Sequence, residues 1–142
     1  MLFRSKTILI TGCATGIGAG LAVGLAKLGA DIVGISNSSS SKAVRAEVNA
    51  LGRSFNDFNL DLAKENNFPQ FVNTILQQVG RVDVVINNAG INKRDLALDY
   101  SAADFDETMN VNLKSPFLLT QSILRYWIDK AIKGKIVNIL SL

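Results

Sequence analysis

The stretch that most limits the folds open to this chain is TGCATGIG, Thr11 to Gly18, which follows the apolar run TILI and leads straight into a helical pattern. Its three glycines, Gly12, Gly16 and Gly18, let a chain leaving a strand turn tightly and enter a helix. That geometry puts the helix N-terminus, with its free N–H groups and positive dipole end, against whatever lies beyond the strand, and a pyrophosphate suits it. The spacing differs from G-x-G-x-x-G, and no Gly-Lys-Ser/Thr follows, so it is not a P-loop. Taken alone, such a turn also serves a purely structural purpose, since any tight strand-to-helix connection recruits glycine.

Further along, β-rich runs alternate with helical patterns. Strands are expected at Thr7 to Thr11, Asp31 to Ser36, more weakly in SFNDF near Ser54, at Val82 to Asn87 and at Lys135 to Leu140. The first helix is expected from about Gly18 to Leu28, stopped by Gly29; a second carries Val44, Val48 and Leu51 and closes at Gly52. A third carries Phe68, Phe71, Val72, Ile75 and Val79, with Pro69 in its first turn and Gly80 at its end. A short fourth opens at SAAD, capped by Ser101 with Asp104 in the acidic first-turn position. The longest is expected from about Asn112 to Lys133. Leu113, Phe117, Leu124, Ile128 and Ala131 form one stripe on it, and Leu118, Ile123 and Trp127 widen that stripe, so it calls for burial on two sides. This alternation predicts an α/β fold of the Rossmann type: a doubly wound parallel sheet with helices on both faces and ligands at the carboxyl ends of the strands. The SNSSSS tract, Ser36 to Ser41, reads as a loop, so residues 1–142 are expected to form a single domain.

Composition removes several function classes. Histidine is absent, which excludes Ser-His-Asp chemistry and histidine zinc sites, and no metal-type ligand cluster is found, so no metal is expected. The single cysteine, Cys13, excludes an intrachain disulfide. With a net charge of +3 and no basic run, a nucleic-acid partner has no support and a small-molecule partner is expected. No apolar stretch approaches the roughly 20 residues of a membrane span. The opening MLFRSKTILITG has too short an apolar run for a signal peptide, and a cytoplasmic location is expected.

Four motifs in order then carry a resemblance: TGCATGIG itself, the acidic residue Asp61 in NLDL after the third strand, NNAG at Asn87 to Gly90 after the fourth, and NVNLKSPF carrying Asn112. Over its whole length the chain resembles the classical short-chain dehydrogenase/reductase family, whose Thr-Gly-x-x-x-Gly-x-Gly pattern it matches at every fixed position. The resemblance implies that Gly12, Thr15, Gly16, Ile17 and Gly18 hold the dinucleotide phosphates, that Asp61 with Leu62 meets the adenine ring, and that Asn88, Ala89 and Gly90 line the ribose side. It gives Asn112 a structural and proton-relay role. Structural readings stand beside these: the asparagines as turn pins, Asp61 as a loop acid, Asn112 as a helix cap.

The apolar run GKIVNILSL reads as a buried strand delivering Ser141, and in this family the serine ending the fifth strand hydrogen-bonds the reacting carbonyl or hydroxyl. The family's general acid/base is a tyrosine a dozen or so residues later with a lysine four positions on, the cation that pulls down a phenol pKa otherwise near 10. That pair is absent. The one Tyr-x-x-x-Lys match, Tyr126 to Lys130, precedes Ser141 and lies 14 residues along the helix from Asn112, about 21 Å. Tyr126 is therefore expected to be a packing residue at the opposite rim, and Tyr100 has no lysine at the required spacing. Relative to the family the chain is a little over half length. Its fifth strand is expected to be an exposed apolar edge and the long helix to lose cover on one flank.

Dinucleotide folds often place an acid at the end of the second strand to hold the adenosine ribose; Ser36 stands there, which leaves NAD against NADP open. Lys93 and Arg94, after NNAG, are expected near the site mouth, where they could attract an anionic substrate or simply be solvated. Several stretches look most like the sugar-acid branch, the 2-deoxy-D-gluconate 3-dehydrogenases and gluconate 5-dehydrogenases, which implies NAD, a hydroxy or keto sugar acid, and a homo-oligomeric parent. Two function classes result: the cofactor-binding portion of an NAD(P)-dependent oxidoreductase, inactive alone, or a non-catalytic dinucleotide-binding or interaction module.

Overall fold

Alternating apolar residues make β1, Thr7–Thr11, a strand with two buried faces: Ile8 and Ile10 point to one layer of helices, Leu9 to the other. The computed structural model describes residues 2–37 and 41–140. Around β1 run β2 (Asp31–Ser36), β3 (Phe55–Asn59), β4 (Val84–Asn87) and β5 (Lys135–Asn138), all parallel, in the order β3-β2-β1-β4-β5. The chain steps outward from β1 to β3 and then returns to the other side of β1 at β4. The order therefore reverses between β1 and β4, the crevice in which open α/β sheets bind ligands.

The described residues form five α-helices, α1 (Gly16–Lys27), α2 (Lys42–Ala50), α3 (Phe68–Val79), α4 (Ala102–Met109) and α5 (Ser115–Asp129), of which α1, α2, α3 and α5 cover the sheet. Ala22 and Ala26 of α1 with Val44 and Val48 of α2 cover Ile8, Ile10 and Ile32. On the opposite face Phe68, Val72 and Ile75 of α3 with Leu119, Ile123 and Trp127 of α5 cover Leu9, Val33 and Val85. The expected Rossmann-type doubly wound α/β sheet is thus present. The glycine stops hold as well: Gly29, Gly52 and Gly80 take φ of 102°, 71° and 76°, values that L side chains rarely adopt. Ser101 caps α4 by accepting a hydrogen bond from Asp104 N at 3.0 Å.

Three local expectations change. The first helix begins two residues earlier than expected, at Gly16. The long helix is not continuous from Asn112 to Lys133: a π-helical turn, Asn110–Lys114, joins α4 to α5, and α5 ends at Asp129. Pro116 has no N–H for the carbonyl of Asn112, and the wider turn absorbs that loss, with Ser115 N donating to Asn110 O instead. Of its two apolar stripes only the second is core. Leu113, Phe117 and Ile128 are 59%, 63% and 80% exposed, because the sheet and α3 cover one side of α5 and no described element covers the other. β5 pairs with β4 on one side only and is exposed along its length, the apolar edge that was expected and not a buried strand.

Candidate functional site

β1 ends at Thr11, whose buried Oγ1 accepts from Asn88 N at 3.0 Å and from Ala89 N at 2.9 Å, so the turn after β4 is built onto the end of β1. Asn88 returns the contact: its Nδ2 donates to Thr11 O at 3.0 Å and Gly12 O at 3.1 Å. Into this knot Gly12 and Gly18 fit only as glycines. Gly12 has φ of 67°, and a Cβ on it would lie 2.9 Å from Ala89 Cα; a Cβ on Gly18 would lie 2.1 Å from Gly12 O. Gly16, with φ of 57°, has open space around it and is required for its backbone conformation instead.

The knot leaves a cavity of about 410 Å³ at the carboxyl ends of β1, β2 and β4. Gly12, Thr15, Ile17, Ser36, Asp61, Leu62, Asn88, Ala89 and Gly90 all line it; Gly16 and Gly18 stand behind its wall, shaping the turn. Thr15 precedes α1 in extended conformation and makes no side-chain cap, and no acid stands in the first turn. The first N–H groups of α1 therefore lack a side-chain acceptor and suit an anion. Ile17 is 65% exposed on that wall, an apolar surface beside the anion-accepting helix end. The glycine cradle, the uncapped helix and the mixed polar and apolar lining fit a dinucleotide.

The opposite wall comes from the loop after β3. Asp61 Oδ1 accepts from Ala63 N at 3.0 Å while its Oδ2 pairs with Lys64 at 3.2 Å, and Leu62 is buried. Ser115 Oγ, buried at the start of α5, donates to Leu62 O at 2.6 Å and holds the loop in place. Sequence reasoning missed this serine and the anchoring role of Thr11. Only the position of Thr11, last in the strand before the glycine turn, signalled it.

Asn112 sits in the π-helical turn and is not a helix cap. Its Oδ1 accepts from Ile91 N at 2.9 Å and its Nδ2 donates to Ile91 O at 2.8 Å, pinning the chain just after Gly90. Lys93 is not free to meet a substrate, contrary to one expectation: it pairs with Asp104 at 2.6 Å and with Glu107, and these hydrogen bonds raise its pKa. Cys13 lies buried beneath the glycine turn, where desolvation, with the charge of Asp57 adding to it, pushes its thiol up to about 11. It is a packing residue.

Tyr126 stands at the far rim, packed against the core with its hydroxyl donating to Gly80 O at 3.4 Å. Beside it Trp127 Nε1 donates to Val82 O at 2.7 Å, before β4 begins. Tyr100 shares a 3.2 Å hydrogen bond with Thr108. Ser141 lies outside the described residues. Among the described residues no acidic or cysteine cluster could hold a metal ion, and no helix is long and apolar enough to cross a membrane.

Comparison with known proteins gives the family. Residues 6–142 match the family described as short chain dehydrogenase. The chain is 39% identical over 139 residues to the 2-dehydro-3-deoxy-D-gluconate 5-dehydrogenase of Escherichia coli, covering 98% of this chain and 54% of that enzyme, so it spans about half the length of this relative. Among solved structures, a metagenomic short-chain oxidoreductase in complex with NADP superposes with a TM-score of 0.92 at 31% identity, over 100% of this chain and 64% of that one. An NAD+-bound xylitol dehydrogenase superposes with a TM-score of 0.88 at 26% identity, over 97% and 54%. With its family pattern matched almost from end to end and its glycine cradle at the switch point of the sheet, the chain belongs to the short-chain dehydrogenase family.

Proposed function

We propose that residues 1–142 form a single dinucleotide-binding domain, the cofactor-binding portion of an NAD(P)-dependent oxidoreductase acting on a hydroxy or keto sugar acid. The observation that carries it is the contact of Gly12, Gly18 and Asn88 beside the uncapped start of α1, which leaves a cavity of about 410 Å³ where a diphosphate would meet the helix N-terminus. Gly12, Thr15 and Ile17 would take the phosphates on the turn that Gly16 and Gly18 shape, Ser36, Asp61 and Leu62 the adenosine, and Asn88, Ala89 and Gly90 the second ribose. When bound, the nicotinamide supplies or accepts a hydride. NAD(H) is the expected cofactor; Ser36 and Asn37 put no charge on the wall at the end of β2, so NADP(H) meets no repulsion there.

The sugar-acid substrate is supported by the name of the Escherichia coli relative, and a cytoplasmic homo-oligomer is the parent form we infer. Ser141 would hydrogen-bond the reacting oxygen and Asn112 would position the chain at Ile91. Neither tyrosine of the chain stands at the cavity, since Tyr126 is at the far rim and Tyr100 is bonded to Thr108. The 142-residue chain is therefore expected to bind dinucleotide without turning over sugar acids. Titration with NADH and NADPH, followed by calorimetry and fluorescence, together with an assay of 2-dehydro-3-deoxy-D-gluconate oxidation by NAD+ or NADP+, tests both parts. Saturable binding without turnover is the expected result. Failure to bind either dinucleotide would overturn the site, and turnover by rigorously pure chain would overturn the need for a further tyrosine.

A further inference from the structure

Two carboxylates stand on the cavity wall, Asp61 and Glu107, and each has its own lysine: Lys64 reaches Asp61 at 3.2 Å, and Lys93 contacts Glu107. The second pair is the more constrained. Lys93 follows Gly90 by three residues in the segment after β4, whereas Glu107 lies in α4, so the contact joins two separate parts of the wall. Lys93 also holds Asp104, one helical turn before Glu107, at 2.6 Å, and Asp104 is in turn held by Ser101 Oγ at 2.7 Å. With Lys93 in place this group carries one net negative charge at neutral pH; without it, two.

We propose that Lys93 is a positioning residue for the dinucleotide, the counter-ion that keeps Glu107 from repelling an anionic ligand. The inference rests on reading the cavity as a dinucleotide site. Lys93 does not line the cavity and is not assigned a ligand contact. Its effect passes through Glu107, so removing the lysine harms binding only while the glutamate keeps its charge. Because both groups are partly exposed, the effect is modest and screened by salt, with a reach of about 10 Å at 0.1 M ionic strength.

The test is NADH binding by the full 142-residue chain at low and at high salt. Lys93→Met is expected to weaken binding about threefold at low ionic strength, with the deficit shrinking as salt is added. Lys93→Met combined with Glu107→Gln should restore binding to the wild-type level, and Lys93→Arg, which retains the ion pair, should bind as wild type. Lys130→Met removes the same charge at the far rim beside Asp129 and should leave binding unchanged. Wild-type affinity in Lys93→Met, or a deficit that Glu107→Gln does not rescue, overturns the inference and leaves the site reading intact. Should Lys93→Met not fold, Glu107→Gln alone decides: binding equal to or tighter than wild type supports the inference, and weaker binding overturns it. A wild-type chain that binds neither NADH nor NADPH removes the site reading and the inference with it.

Discussion

Thr11 and Asn88 hold each other across the switch point of the sheet: the threonine Oγ1 accepts from Asn88 N at 3.0 Å, and the asparagine Nδ2 donates to Thr11 O at 3.0 Å. The last residue of β1 thus carries the turn after β4. Thr11→Val keeps the shape of the side chain but leaves the N–H groups of Asn88 and Ala89 without their acceptor. Each such group costs about 1–3 kcal/mol, so a loss of about 2–6 kcal/mol is expected, with Tm falling by roughly 5–20 °C. Thr11→Ser retains the oxygen and should stay within about 1 kcal/mol of wild type. Equal melting of Thr11→Val and wild type would show that the two hydrogen bonds do not hold the turn.

Glycines of α1 should divide sharply. Gly18→Ala drives its Cβ to 2.1 Å from Gly12 O, a backbone atom that cannot swing aside, and 2.6 Å from Asn88 Nδ2. The turn must shift, which should cost about 1–3 kcal/mol and abolish dinucleotide binding. Gly20 and Gly24 have open space where a Cβ would stand, so alanine there should stabilise the helix by about 0.5–1 kcal/mol and leave binding unchanged. Chemical denaturation paired with NADH titration of the three variants reads both effects.

What the sequence makes legible follows from how local each signal is. β1, β2 and β4 are runs of Ile, Leu and Val, and the stops of the first three helices are glycines whose positive φ is needed whatever surrounds them. The cavity wall follows from the same turns, since Thr11 to Gly18 and Asn87 to Gly90 are contiguous motifs at strand ends. The π-helical turn is different: its apolar spacing runs on through Leu113 and Phe117, and only Pro116 hints at a break. The state of Lys93 was not legible at all, because its pairing with Asp104 and Glu107 depends on where the segment after Gly90 travels. The same holds for Ser115, whose partner Leu62 is 53 residues earlier in the chain.

Asp83 ties acid stability to the start of β4. Its side chain is 4% exposed and accepts from Thr7 N at 3.1 Å, Arg81 Nε at 2.8 Å and Lys6 Nζ at 3.3 Å. Burial pushes this carboxyl up, but the hydrogen bonds from Thr7, Arg81 and Lys6 outweigh it, and the pKa lies below the ordinary value. A depressed folded-state pKa stabilises the fold above the unfolded value, near 3.9, and that stability is lost as pH falls through the folded value. Asp83→Asn should therefore be less stable than wild type by about 2 kcal/mol at pH 7, with the gap closing below about pH 4. Urea denaturation from pH 7 to pH 3 measures it, and a gap independent of pH would exclude the carboxylate as its source.

Asn112 separates a structural anchor from a relay. Its amide meets both backbone groups of Ile91, and Ile91 lines the cavity, so the first effect of losing it falls on the wall and not on the core. The site is exposed, which limits the cost of Asn112→Ala to about 1 kcal/mol and a Tm change of only a few degrees. Exchange of the Ile91 amide hydrogen should nevertheless quicken several-fold, and dinucleotide binding should weaken. Asn112→Asp sharpens the argument: a carboxylate can still accept from Ile91 N but cannot donate to Ile91 O, which it repels. It should match the alanine variant in binding while retaining more protection at Ile91. Unchanged exchange in both variants would mean that the segment after Gly90 is held by Lys93 and its two acids, and that Asn112 is free for a role in the reaction itself.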